Sequence, residues 1–269
     1  MTALGATLPQ SDKGRVARIH QLSKWLGQIV DNCLRMRPTA IIFDLDGTLL
    51  DDDFAVEMGL LAFHVAYEET LGMSLSDLRL RWLELLRQHF APYLHGEVSM
   101  QEQRRMRIRK LFDEKRSCLT DEEADAAFSV YDRAYTAGWR TFPEVHAALA
   151  ALRGFRLAVL TNGQADQQRT KLAATKIANR FERIFVSSEI GAAKPDPAAF
   201  RHVTAELGVR ESDCILVGDN IDIDIRGATR AGIAAILVNR RVEPSADPPK
   251  VVTVSNLLDM VALVRSHDG

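Results

Sequence analysis

Cysteine is scarce in this chain of 269 residues: Cys33, Cys118 and Cys214 are an odd number, far apart and without a CxxC pair. That usage argues against a disulfide framework and suits a reducing cytosol. Long apolar runs are missing too, because no stretch approaches the roughly 18 to 20 uninterrupted apolar residues that a transmembrane helix needs. The N-terminus lacks the charged start, compact apolar run and small-residue cleavage site of a secretory signal. The expectation is a soluble protein of the cytoplasm. No charge sign dominates: 34 Lys+Arg against 36 Asp+Glu leave a net charge of -2, so composition offers no overall reason to bind nucleic acid or an anionic membrane. Repeats and low-complexity tracts are absent, and only Glu243 to Pro249, with three prolines, reads as an irregular surface loop.

What is present is the composition of an ordinary globular protein, 46% hydrophobic and 26% charged. The length suits a core domain carrying a smaller insertion. From about Arg15 to Met36 the residues Leu22, Trp25, Leu26, Ile29, Val30, Cys33 and Leu34 form one helical face. This amphipathic helix is expected to pack on the domain body or on another subunit, which leaves a homodimer open; a membrane-surface or targeting role is the lesser reading, suggested by Arg15, Arg18 and Lys24.

Five short apolar runs read as buried strands: Thr39 to Phe43, Leu157 to Leu160, Ile184 to Val186, Cys214 to Val217 and Ala234 to Val238. Helical patterns separate them, which predicts an α/β fold with a doubly wound parallel sheet. The segment 54–137 breaks the alternation. Leu60, Leu61, His64, Val65 and Glu68 sit at helical spacing, and LRLRWLELLRQHF and EQRRMRIRKLF look like two further helices. The expected organisation is an N-terminal extension over 1–37, a Rossmann-like catalytic core over 38–53 and 138–269, and an all-helical cap over 54–137.

Ligands of an open parallel sheet bind beyond the carboxyl ends of its strands. Asp44-Leu45-Asp46-Gly47-Thr48 stands after the first strand, Thr161-Asn162-Gly163 after the second, Lys194-Pro195-Asp196 near the third, and Gly218-Asp219 with Asp222 and Asp224 after the fourth. Carboxylates gathered on one edge repel one another unless a hard cation sits among them, and Mg²⁺ with its oxygen ligands is the expected occupant. Asp44 and Asp46, at i and i+2, project to one side, so one can attack phosphorus while the other protonates the departing oxygen. Lys194 and Thr161 can donate to the phosphoryl oxygens.

These motifs resemble the haloacid dehalogenase superfamily of aspartate-dependent phosphatases. The likeness runs from about Thr39 to Val238 through FDLDGT, VLTNG, KPDPAAF and VGDNIDIDIRGATRAG. It implies Asp44 as nucleophile and metal ligand, and Asp46 as acid/base with its backbone carbonyl on Mg²⁺. Thr161 and Lys194 would hold the phosphoryl group, with Thr48, Asn162 and Gly163 at the substrate. Asp219 would ligate the metal, and Asp224 would take the family's second acidic position. Ile223 departs from the polar residue common there, which leaves Asp222 as a substitute for Asp224. The family's dehalogenases lack the second carboxylate of the first motif, so Asp46 speaks for a phosphatase. Arg104, Arg105, Arg107, Arg109 and Lys110 read as a solvated helix face, or, as in some helical-capped relatives, as offering one arginine to the cleft, for which Arg107 is the choice. His89 and His95 are expected to be structural or exposed, and Trp82 and Trp139 to pack cap helices.

The expected activity is therefore hydrolysis of a small phosphorylated metabolite, a sugar phosphate or nucleotide-like compound, through a phosphoaspartyl intermediate. A phosphomutase and a non-catalytic phosphate-binding module are the alternatives.

Overall fold

The computed structural model describes residues 38–113, 119–240 and 251–265. The N-terminal helix expected over Arg15 to Met36, the proline-bearing loop Glu243 to Pro249, Cys33 and Cys118 lie outside the described residues. Within them, six strands form one parallel sheet: β1 (Ala40–Phe43), β2 (Arg156–Thr161), β3 (Arg183–Val186), β4 (Cys214–Gly218), β5 (Ala234–Val238) and β6 (Val252–Val254). Their order is β3-β2-β1-β4-β5-β6. Five coincide with the apolar runs of the sequence. The sixth, Val-Thr-Val, is too short to stand out as a run and is recognised only because Val252 to Val254 pair with Ile236 to Val238.

Alternation along β1 shows why the sheet is covered on both faces. Ile41 and Phe43 enter a cluster with Val145, Leu149, Leu172, Met260 and Val261. Ala40 and Ile42 enter another with Phe200, Val203 and Ala228. Period-two patterning with both sets apolar is the mark of a strand buried on two sides. The chain winds one way from β1 to β2 and β3 and the other way to β4, β5 and β6, so the order reverses at β1. That switch point opens a crevice beyond the ends of β1 and β4.

Between β1 and β2 the chain leaves the sheet and builds helices α1 (Asp52–Leu71), α2 (Leu75–Leu94), α3 (Met100–Asp113) and α4 (Asp121–Ala137). The remaining helices, α5 (Val145–Ala151), α6 (Ala165–Ala174), α7 (Ser187–Ile190), α8 (Pro197–Leu207), α9 (Arg226–Arg230) and α10 (Leu257–Arg265), belong to the sheet layers. Local chemistry sets the starts of the insertion helices. Asp51 accepts from the Phe54 amide and Ser74 from that of Asp77, while Thr120 and Glu123 cap each other's amides reciprocally. Helix α4 lacked a separate reading in the sequence, although Thr120 and Glu123 spell its capping box.

The insertion has its own core, rich in aromatic rings: Phe63, Trp82, Phe112, Phe128, Tyr131 and Tyr135 pack with Leu60, Leu78 and Leu85. Trp82 packs there as expected, its ring centroid 4.4 Å from that of Tyr131. The chain enters and leaves the insertion through a narrow neck. The Asp51 amide donates to the Arg140 carbonyl over 3.0 Å, and the Arg140 guanidinium bridges back to the Asp51 carboxylate at 2.6 Å.

Helix α1 packs against α4 at Gly59, where an added Cβ would lie 2.5 Å from a ring carbon of Tyr131. Elsewhere in a helix Gly→Ala gains up to about 1 kcal/mol; here the clash with a packed ring is expected to outweigh it by about 1–3 kcal/mol. Gly59→Ala should lower the melting temperature by a few degrees in calorimetry. An unchanged or higher value would mean that the α1–α4 contact yields without cost.

Candidate active site

Four strand ends bring one ammonium group between carboxylates. Asp44 follows β1, fixed by its amide donating to the Val217 carbonyl at 2.9 Å. Lys194 comes from the loop before α8, and its Nζ donates to Asp44 Oδ1 at 2.5 Å and to Asp224 Oδ1 at 2.7 Å. The Thr48 hydroxyl donates to Asp44 Oδ2 at 3.1 Å and lies 3.4 Å from Asp219 Oδ1. Oxygens of Asp44, Asp219 and Asp224 all lie within 4.8 Å of one another. Gly47 and Gly218 permit this crowding, for a Cβ on either would collide with the carboxylate of Asp219 or Asp224 respectively.

Burial and crowding show in the proton affinities. Burial drives the Asp44 carboxyl well above its ordinary value, with Asp224 and Asp219 adding to the rise and Lys194 opposing it. Asp219 is pushed up to about 6, first by burial and then by Asp224. For Lys194 burial works against the charge, but Asp224 and Asp44 outweigh it and hold the ammonium above the usual lysine range. Three carboxylates share one ammonium, so the cluster carries excess negative charge in a low-dielectric place. Its donors are hard oxygens, which fit a hard divalent cation.

Asp46 points into a different neighbourhood. Its Oδ1 accepts from Lys171 Nζ at 2.7 Å and its Oδ2 from Gln168 Nε2 at 2.9 Å. Lys171 also reaches Asp52 at 3.4 Å, and Asp52 accepts from the Tyr135 hydroxyl at 2.7 Å. Burial raises the Asp52 carboxyl, as does Asp46, against the pull of Lys171. Beyond Asp46 opens a cavity of ≈ 240 Å³ between sheet and insertion, walled by Trp82, Arg107, Phe128 and Tyr131 on one side and by Asn162, Gly163 and Lys171 on the other.

A family model described as haloacid dehalogenase-like hydrolase matches residues 38–232. The chain belongs to the haloacid dehalogenase-like hydrolases. It is 43% identical over 109 residues to the phosphoserine phosphatase of Thermus thermophilus, a match covering 40% of this chain and 43% of that one. It is 29% identical over 245 residues to the N-acylneuraminate-9-phosphatase of Mus musculus, covering 86% of this chain and 96% of the relative. The matched region is thus under half of the first relative and nearly all of the second. Among solved structures, the HAD-hydrolase YfnB of Bacillus subtilis, bound to magnesium, superposes with a TM-score of 0.70 at 20% identity, over 85% of this chain and 99% of that one. That likeness is one of fold.

In this haloacid dehalogenase-like hydrolase the residues singled out from sequence meet, with adjustments. Asp222 is no substitute for Asp224: it is exposed and pairs with Arg226, whereas Asp224 is buried against Lys194. Thr48 does not face the cavity. It is fully buried, its hydroxyl given to Asp44 and Asp219. Asn162 lines the cavity while its amide exchanges two hydrogen bonds with the Lys194 backbone, 2.8 and 2.9 Å, which pins the lysine loop to the β2 loop. The Gly163 amide, expected to be open to substrate, donates to Ser187 Oγ at 3.0 Å. Thr161 Oγ1 accepts from Gln168 at 2.7 Å. His95 is exposed as expected, and His89 Nε2 is buried without a partner.

Gln168 and Lys171 were missed. Their signal was available: they stand three apart on the helix that follows the Thr161 loop, so they share the face turned to the sheet edge, in a helix with Leu172 as its one large aliphatic residue.

The raised carboxyls make a prediction about pH. For Asp219 a folded-state pKa of about 6 against an unfolded 3.8 means that the folded chain binds the proton more tightly, so this carboxyl costs stability as pH rises from about 4 to 6 and its full cost stands above that. A bound divalent cation removes this cost. The rise in melting temperature on adding a divalent cation, relative to chelator, should therefore grow between about pH 4.5 and 7, and should shrink in Asp219→Asn. A rise that is the same across that range would mean that these carboxylates do not take the ion.

Proposed function

We propose that this chain is a magnesium-dependent phosphatase that hydrolyses a small phosphorylated metabolite through a phosphoaspartyl intermediate on Asp44. The observation that carries this reading is the separation of Asp44 from Asp46. They stand two residues apart, yet one sits in the anion cluster against Lys194 and the other at the cavity mouth between Lys171 and Gln168. A hydrolase that releases halide needs no second carboxylate, whereas a phosphatase must protonate an alkoxide. The family membership and the two phosphatase relatives support the same branch.

In the first step an Asp44 oxygen attacks phosphorus, the bond to the ester oxygen breaks, and Asp46 gives that oxygen a proton. Lys194 and the Thr161 hydroxyl are the donors available to the transferring oxygens, with Lys194 already on the Asp44 carboxylate. In the second step Asp46 takes a proton from water as the water attacks phosphorus, and Asp44 and free phosphate are released. Both Asp46 oxygens accept hydrogen bonds here. Magnesium, held by Asp44, Asp219 and Asp224 with the Asp46 carbonyl, would supply charge neutralisation of the phosphoryl oxygens. The insertion over 54–137 would act as a cap whose closure excludes bulk water and selects the leaving group. No helix among the described residues is long and apolar enough to cross a membrane, and a cytoplasmic location is inferred from the cysteine usage.

Release of free phosphate from a panel of phosphorylated metabolites, with and without Mg²⁺, tests the reading; return of the phosphoryl group to substrate would make the chain a mutase, and binding without turnover a non-catalytic module. Asp44→Asn should lower kcat by about three orders of magnitude or more while the fold is kept, and activity within about tenfold of wild type would remove Asp44 as nucleophile.

Asp46→Asn separates the two steps. A nitrophenolate departs largely unaided and an alkoxide does not, so the variant should transfer phosphorus to Asp44 almost normally from nitrophenyl phosphate and poorly from an alkyl phosphate. A burst of nitrophenol followed by accumulated phosphoenzyme is expected. Equal damage to the first step with both substrates, measured before the steady state, would take the acid role from Asp46.

A further inference from the structure

Helix α6 sends two buried side chains to one carboxylate that is half-open to solvent. The side chain of Asp46 is 30% exposed and that of Lys171 3%, and Gln168 is 2% exposed. Lys171 Nζ donates to Asp46 Oδ1 at 2.7 Å and Gln168 Nε2 to Asp46 Oδ2 at 2.9 Å. Gln168 and Lys171 stand three apart on one helical face. Leu172, fully buried in the cluster of Ile41 and Phe43, fixes which way that face turns.

The Gln168 amide gives everything it has to this place. Its Nε2 also donates to Thr161 Oγ1 at 2.7 Å and lies 3.1 Å from the Asn162 carbonyl, whereas its Oε1 is buried without a partner among the described residues. An unmet buried acceptor is costly, and turning the amide over would set its oxygen against the same three acceptors. Because the Thr161 oxygen accepts from Gln168, its single proton is left to donate, and it has only the Asn162 carbonyl at 3.4 Å. A carboxylate offers about four lone-pair positions. Lys171 and Gln168 take one on each oxygen of Asp46, which fixes the plane of the group and leaves one on each for a proton and its transfer.

Lys171 has a second partner, Asp52 at 3.4 Å, and lies 5.2 Å from the Tyr135 ring centroid. A tie between sheet and insertion would account for that contact. It would not account for Gln168, whose hydrogen bonds go to Asp46 and to the Thr161 loop. We propose that Gln168 and Lys171 are positioning residues for Asp46. Together they hold its carboxyl in one orientation toward the ester oxygen, and Gln168 ties that orientation to the Thr161 hydroxyl at the phosphoryl group. The proposal rests on the phosphatase reading, in which Asp46 serves the ester oxygen. A carboxyl at the cavity mouth that was free to turn would be aimed elsewhere for part of the time, and misaim of that kind is paid in rate.

Three esters with one aromatic ring each, nitrophenyl, phenyl and benzyl phosphate, test this, because their leaving oxygens need a proton increasingly in that order. The full chain in saturating Mg²⁺ is assayed for kcat/KM, which reports transfer of the phosphoryl group and not the later hydrolysis of the phosphoenzyme. Lys171→Met should lower it roughly 10- to 100-fold for benzyl phosphate and less than about threefold for nitrophenyl phosphate. Gln168→Met, which also takes the donor from Thr161, should lower all three and benzyl phosphate most. Asp52→Asn weakens the tie to the insertion but leaves both grips on Asp46, and should affect the three esters alike. In an Asp46→Asn background Lys171→Met should cost nothing further on benzyl phosphate, since the group it positions is gone.

Lys171→Met leaves two carboxylates without their shared cation, so its melting temperature is read alongside. If it does not fold, Gln168→Met, which buries no new charge, decides with the same esters and the same Asp46→Asn background. Equal losses on the three esters, or a selective loss that persists in Asp46→Asn, would make the pair structural and overturn the proposal. The same selectivity in Asp52→Asn as in Lys171→Met would overturn it too, by placing the effect in the insertion. If the wild type released no phosphate from any ester, the phosphatase reading would fall and the proposal with it. Turnover without selectivity in the variants removes the proposal alone.

Discussion

Everything at the sheet edge depends on holding like charges together. Asp44, Asp219 and Asp224 would push one another apart if the Lys194 ammonium did not sit between two of them at 2.5 and 2.7 Å. That single cation fixes the relation between three loops that are remote in sequence: the one after β1, the one before α8 and the one after β4. The reciprocal hydrogen bonds of Asn162 with the Lys194 backbone add the loop after β2. The strained sum of charges is also what gives the cluster its use. An edge that is still net negative after its lysine is counted favours a divalent cation, and a cation there in turn favours the phosphoryl group.

A second lysine does for the insertion what Lys194 does for the sheet. Lys171 lies buried between Asp46, which belongs to the core, and Asp52, the first residue of α1. Tyr135, near the end of α4, bonds the same Asp52. Asp46 and both ends of the insertion therefore share one network. If the insertion swings about the neck formed by Asp51 and Arg140, the partners of Asp46 change with it. Asp46 and the position of the insertion cannot be independent, because one ammonium holds both.

How much of this was legible depended on whether a residue announced itself locally. The strands were visible because runs such as Ala40–Phe43 are apolar on both faces, and Asp44, Asp46, Thr161, Lys194 and Asp219 were visible because each ends such a run or follows it at fixed spacing. The helix that carries Gln168 and Lys171 has no such boundary: in ADQQRTKLAA one buried lysine looks like any other. Its meaning lies in Asp46, 125 residues away. Spacing also misled in small ways. Thr48 and Gly163 belong to the motifs, but the sequence does not show that the hydroxyl of one is turned back on the carboxylates and the amide of the other is taken by Ser187. Asp222 and Asp224 were separated only when the turn of the helix exposed one and buried the other.

The two walls of the cavity carry their charge differently. On the sheet side the lysines are matched to carboxylates, so Lys171 and Lys194 come already paired. On the insertion side the charges are mixed: Arg104 and Arg107 line the cavity together with Asp52, Asp53 and Asp132. The acids of α4 thus stand on both sides of α3, for Asp121 and Asp125 hold Arg105 and Arg109 while Asp132 shares the cavity with Arg104 and Arg107.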